Sequence, residues 1–90
     1  MVQVLAFILQ VQCGFQTIGS ATISYGNVVF VTADDRNKPQ VAFFQTSENP
    51  GKPHPYCEPL QRSLSSGQAV ALEIDRANNQ VVQLQVILKP

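Results

Sequence analysis

Side chains able to do chemistry are few in this chain, and their spacing limits what they could do. His54 and Cys57 stand three positions apart in Pro53-His54-Pro55-Tyr56-Cys57-Glu58-Pro59, a spacing that could put two ligands on one metal ion or an imidazole beside a thiol. Zinc takes about four ligands and a catalytic thiol needs an orienting third group. The sequence shows neither, so a proline-rich surface loop is the expected reading, with no metal, cofactor or enzymatic activity. Asp34 and Asp35 could form an acid pair, but strand neighbours point to opposite faces and this pair sits in a polar turn cluster, where turn chemistry is the simpler account. Arg36, Lys38, Lys52 and Arg62 could rim a binding face. They are offset by Asp34, Asp35, Glu48 and Glu58 nearby in the chain.

The elements that must position these residues read as β-structure. Val28 to Ser47 has the pattern of a hairpin: Val28, Val29, Phe30 and Val31 favour a pleated backbone, Asp34 to Pro39 is polar, and Val41, Phe43 and Phe44 resume the apolar pattern. With Asp35 to Lys38 as the loop, Phe30 faces Phe43 and Val28 faces Gln45, while Val29, Val31, Ala42 and Phe44 share the other side. Thr17 to Tyr25 reads as the preceding strand, joined to the hairpin by Gly26-Asn27 with glycine where a type II′ turn requires it. Ile23, Tyr25, Val28, Phe30 and Phe43 would then form one apolar face.

Val2 to Gln12 is apolar on both alternating sets, which suits a strand covered on both faces. It is uncharged and free of proline, so at a bare edge it would template aggregation. It must pair within the sheet or against a second copy of the chain, and a homodimer is one expectation. Residues 48–67 form a long loop with Pro50, Gly51, Pro53, Pro55 and Pro59, with a helical turn from Pro59 to Leu64. Gln68 to Arg76 alternates with Val70, Leu72 and Ile74 inward, and Gln80 to Leu88 answers with Val82, Leu84, Val86 and Leu88. A three-residue loop, Ala77-Asn78-Asn79, would put Ile74 opposite Val82 and Leu72 opposite Leu84, with Asn79 left-handed.

Ninety residues make one domain, 1–90, and 44% hydrophobic content makes it globular. Six basic residues balance six acidic ones, so no global positive field draws in nucleic acid or an anionic membrane. All charge lies after Ala33. The apolar run Val4 to Leu9 lacks a basic lead-in and is too short for a leader or a membrane span. A cytoplasmic protein with no membrane partner is expected. Cys13 and Cys57 could form at most one disulfide; with no Cys-x-x-Cys pair, free thiols are the default.

Several stretches resemble the bacterial cold-shock domain, over about residues 19–86. Leu64 to Ile74, LSSGQAVALEI, is similar to that family's Leu-x-x-Gly-Gln-x-Val-x-Phe-x-Ile segment. Phe30-Val31-Thr32-Ala33-Asp34-Asp35 and Val41-Ala42-Phe43-Phe44-Gln45-Thr46-Ser47 are similar to its Phe-Ile-Thr-Pro-Asp-Asp and Val-Phe-x-His-x-Ser. The resemblance implies an all-β, OB-like barrel of five to six antiparallel strands over residues 19–88, with residues 1–18 as an extra N-terminal strand. It also implies binding of single-stranded RNA or DNA by stacking on aromatics. Phe30 and Phe43 match two of the family's aromatic positions and Tyr25 could add a third, with Arg36 and Lys38 as phosphate contacts. Other family positions differ here: Ile23 stands for a tryptophan, Val28 for an aromatic, Gln45 for a histidine and Thr46 for an aromatic. Binding is therefore expected to be weak. The alternative is a homo-oligomeric protein-interaction module that keeps the barrel without nucleic-acid binding.

Overall fold

The computed structural model describes residues 1–47 and 52–86. Its elements are β1 (Val2–Ile18), β2 (Ala21–Thr32), β3 (Asp35–Thr46), α1 (Cys57–Ser66), β4 (Val70–Asp75) and β5 (Gln80–Val86). The five strands form one sheet that closes in a ring, in the order β1-β2-β3-β5-β4 with β4 returning to β1. Every pairing is antiparallel except that of β3 with β5, which meet in parallel at Phe43 and Gln80. The all-β expectation holds, with one helix added. Among the described residues no helix is long and apolar enough to cross a membrane.

The N-terminal segment is the ring's own first strand and not an extra one. Val2–Ala6 of β1 pairs with β4, and Ala6–Ile18 pairs with β2. The turn between β1 and β2 is Gly19-Ser20, closed by the pair Ile18 and Ala21, with Gly19 at φ 64°. A positive φ at the first central residue is the type II′ requirement. Gly26-Asn27 is therefore not a turn: β2 runs straight through it, and the strands expected on either side of it are one. Gly26 is needed for space. A Cβ there would come within 2.5 Å of the Phe44 ring and 2.7 Å of the Gln12 carbonyl oxygen.

The β2–β3 hairpin turns at Ala33-Asp34, and the pairs are Thr32 with Asp35, Phe30 with Gln40, Val28 with Ala42 and Asn27 with Phe43. The expected register, Phe30 against Phe43, is wrong by three residues. The turn is tighter than the sequence suggested, and the surplus residues Arg36–Pro39 loop out opposite Val31. An odd slip exchanges faces. Val28, Phe30, Ala42 and Phe44 thus point inward together, at 3% exposure or less, while Phe43 points out.

Inside the ring these four meet Ala6, Ile8, Val70, Leu72, Ile74 and Val81, and Leu60 of α1 is fully buried among them. The inward set Val70, Leu72 and Ile74 is as expected. So is Leu72 opposite Leu84, and Asn79 is left-handed at φ 55°. Asp75 Oδ1 accepts from the Ala77 N–H at 3.0 Å and Asn78 Oδ1 from the Gln80 N–H at 3.2 Å, which fixes this turn locally. Ile74 faces Val81 instead of Val82, because a bulge at Glu73 and Ile74 leaves Val82 exposed. Leu88 lies outside the described residues.

The expected helical turn is a full helix. Its first residue, Cys57, donates its N–H to the His54 carbonyl at 3.0 Å, and Gly67 ends it at φ 74° with its N–H on the Ser63 carbonyl. Glycine in that left-handed position is the common helix stop. Ser63 Oγ donates to the Gln68 carbonyl and holds the exit toward β4. Cys57 is not a free thiol: it forms a disulfide with Cys13 of β1, tying α1 to the sheet. Glu48, Pro50 and Gly51 of the long loop lie outside the described residues.

Candidate functional site: the outer face of β2 and β3

Alternation decides which side chains this face presents. With Val28, Phe30, Ala42 and Phe44 inward, Tyr25, Asn27 and Val29 of β2 stand outward beside Val41, Phe43 and Gln45 of β3. Tyr25 pairs with Gln45 and Asn27 with Phe43, so the two aromatic residues are diagonal neighbours, within reach of one another's side chains. Both are exposed, Tyr25 at 41% and Phe43 at 47%.

Tyr25 leans over β1. A Cβ on Gly14, its pairing partner, would lie 2.9 Å from the phenolic oxygen and 3.1 Å from Cζ. The ring therefore rests on bare backbone and turns its other side to solvent. Between Tyr25 and Phe43 lies a hollow of about 290 Å³ whose rim includes Gln16, Gln45 and Gln80. On the same face Asn27 Nδ2 donates to Gln12 Oε1 at 3.5 Å. Aromatic rings framed by carboxamides can stack a flat heterocycle and hydrogen-bond its edge, since an amide offers both donor and acceptor. No charged residue is among those lining the hollow.

The other expected site residues lie elsewhere. Phe30 is 1% exposed and belongs to the core, so it does not share a face with Tyr25 and Phe43. Arg36 sits in the looped-out part of β3 with its guanidinium 4.2 Å from the centre of the Phe7 ring. Phe7 pairs with Val31, six positions along β2 from Tyr25, or about 20 Å of strand. Lys38 is at that same end, where it lines an open depression with Asp34, Asp35 and Arg76. Arg62 is paired with Glu58 on the exposed side of α1 at 3.3 Å.

The β4–β5 turn reaches the aromatic face directly, since the Phe43 N–H donates to the Asn79 carbonyl at 2.9 Å. This turn carries Arg76, whose Nη1 donates to Gln40 Oε1 at 3.4 Å. Gly14 and Arg76 are thus the residues that sequence reasoning passed over. A glycine in mid-strand signals close approach by another group, and that signal was available for Gly14. Nothing local marked Arg76.

His54 and Cys57 do not make a reactive pair. Cys57 is in the disulfide, and His54 is packed between Phe44 and Tyr56, each with its ring centre 4.7 Å away. His54 Nδ1 accepts the Tyr56 N–H at 3.1 Å. Burial holds the imidazole below its usual pKa, opposed in part by a hydrogen bond to the Gln45 backbone. Among the described residues no group of three or more His, Cys, Asp or Glu side chains could hold a metal ion. No protein-family model, curated protein or solved structure matches the chain.

Proposed function

We propose that the ring is an OB-type barrel and that the chain is a weak binding module for single-stranded RNA or DNA. The strand order, the parallel meeting of β3 and β5, and a helix between β3 and β4 support the OB assignment. In such barrels the face of the second and third strands and the loop between the fourth and fifth take the ligand. The observation that carries the function is the hollow between Tyr25 and Phe43 with its glutamine amides. One base stacks on each ring and the amides meet base edges, while Arg76, outside the hollow and hydrogen-bonded to Gln40 three residues along β3 from Phe43, meets a phosphate of the adjoining nucleotide.

Each stacked base contributes about 1–3 kcal/mol. Two platforms therefore give an affinity on the order of millimolar, and a single phosphate contact gives a log–log salt slope of roughly −0.7. The Cys13–Cys57 disulfide supports an oxidising compartment as the place of action, in place of the cytoplasm expected from sequence.

The test is an amide-shift titration of isotope-labelled, oxidised protein with oligo-dT and oligo-rU at low salt. Shifts should centre on Tyr25, Phe43 and the β4–β5 turn. Tyr25→Ala and Phe43→Ala should each weaken binding by roughly 5- to 100-fold, and Arg76→Ala should remove most of the salt dependence while Arg36→Ala changes little. Absence of shifts at millimolar oligonucleotide, or shifts centred on Arg36 and Lys38, would overturn the proposal.

A further inference from the structure

Past Ala6, β1 pairs only with β2, so the other edge of residues 7–18 has no strand beside it among the described residues. Open edges present unpaired N–H and C=O groups, and chains blunt them with charge, proline or irregular backbone. The open edge of β3 is treated in that way. Among the described residues β3 is bridged to β5 only at Phe43, and its free end carries Asp35, Arg36, Lys38 and Pro39 in a looped-out stretch.

The β1 edge carries neither charge nor proline; its one irregularity is the bulge at Leu9, at its start, and α1 reaches it through the Cys13–Cys57 disulfide. Leu9 to Ile18 reads LQVQCGFQTI, without charge or proline, and it is paired to β2 in unbroken register from Gln10 to Ile18. It is also exposed, with Leu9 at 49%, Phe15 at 48% and Ile18 at 57%. The disulfide at Cys13 anchors the middle of this stretch to α1, so its conformation is held ready at no cost in ordering.

We infer that the free edge of β1, from Leu9 to Ile18, is a homodimer interface at which two copies of this chain pair antiparallel about a two-fold axis. A second copy is the fitting occupant because an uncharged strand is complementary to itself: no like charges are brought together, and each copy's unpaired backbone groups satisfy the other's. Phe15, Ile18 and Leu9 add apolar area toward the roughly 800 Å² per partner of a standard interface, a modest share of the chain's 5820 Å² surface. The aromatic hollow of β2 and β3 borders this edge at Gln16, but this inference does not depend on what the hollow binds.

The experiment is sedimentation of the oxidised chain from low micromolar to near-millimolar concentration, with hydrogen exchange on the same samples. A concentration-dependent dimer is expected, with amides of residues 9–18 that point away from β2 protected in the dimer only. Gln12→Lys with Gln16→Lys puts charge on this edge and should raise the dimer dissociation constant roughly tenfold or more. Lys38→Gln should leave it unchanged. A monomer at all concentrations overturns the inference. So does a dimer whose residues 9–18 gain no protection, a result that stands even where the lysine variant fails to fold. Association into open-ended species larger than a dimer also refutes the closed two-fold arrangement.

Discussion

Cutting the link between Cys13 and Cys57 should change stability more than any other single bond in this fold. The two residues are separated by 44 positions, so the cross-link closes a long loop in the unfolded chain. Loop-closure entropy for that length amounts to about 4 kcal/mol at 25 °C. A domain of this size has total stability of about 5–13 kcal/mol, so the bond supplies a third or more of it. The perturbation is Cys13→Ala with Cys57→Ala, which leaves no thiol in the chain and replaces the buried Cys57 by a smaller side chain that fits a helix. Urea unfolding should show a midpoint lowered to match a loss of roughly 3–4 kcal/mol, with a larger m-value because the unlinked chain exposes more surface. Thermal unfolding should move down by about 12–30 °C. Reduction of the natural chain should reproduce both effects. A doubly substituted chain within about 1 kcal/mol of the natural one, at unchanged m, would refute the reasoning. Two free thiols titrated in the native protein, purified without reductant, would also refute it.

Two glycines separate face from core. Gly14→Ala meets only the far end of an exposed tyrosine, so it should cost less than about 1 kcal/mol in unfolding while displacing Tyr25 and weakening oligonucleotide binding in the titration. Gly26→Ala meets a buried ring and a backbone carbonyl that cannot both move, and a loss of about 2–4 kcal/mol is expected by the same unfolding assay. His54 sets a pH dependence: its folded-state pKa is lowered by burial, so the unfolded chain takes up its proton first as pH falls. Its contribution is complete above about pH 6.5 and is lost as pH drops through that value toward the folded pKa, with a slope of at most about 1.4 kcal/mol per pH unit. Urea midpoints measured between pH 8 and pH 5 check this, and His54→Gln should flatten that part of the profile.

What could be read in the sequence was what is written locally. Val70, Leu72 and Ile74 alternate without exception, and Asp75, Asn78 and Asn79 make their turn from their own side chains, so that hairpin is legible down to the left-handed residue. The β1–β2 hairpin shows the limit. Gly19-Ser20 and Gly26-Asn27 are equally good turn signals, and what distinguishes them is Phe44, a residue 18 positions beyond Gly26 whose ring needs the missing Cβ. The register of the next hairpin is a separate matter: its turn is Ala33-Asp34 and not Asp35 to Lys38, and that odd slip puts Phe43 on the other side from Phe30. Phe43 is a candidate through the cold-shock resemblance, and Tyr25 through its place on the same expected apolar face. Their separation from Phe30, Arg36 and Lys38 depends on parity and on a four-residue looped-out stretch, and neither is visible in a linear pattern. The disulfide is a contact at long range between a strand and a helix, and Cys spacing alone does not encode it.

Phe43 holds two positions at once. Its side chain faces outward beside Tyr25, while its backbone makes the one β-bridge between β3 and β5 among the described residues and donates to Asn79. The seam that shuts the ring therefore runs through the residue best placed to touch a ligand. Under the proposed function, a base stacked on the Phe43 ring would restrain the backbone bridge behind it, so binding would be coupled to opening of the seam. The exchange rate of the single Phe43 amide thus becomes a gauge of occupancy, readable even where the affinity is too weak for calorimetry.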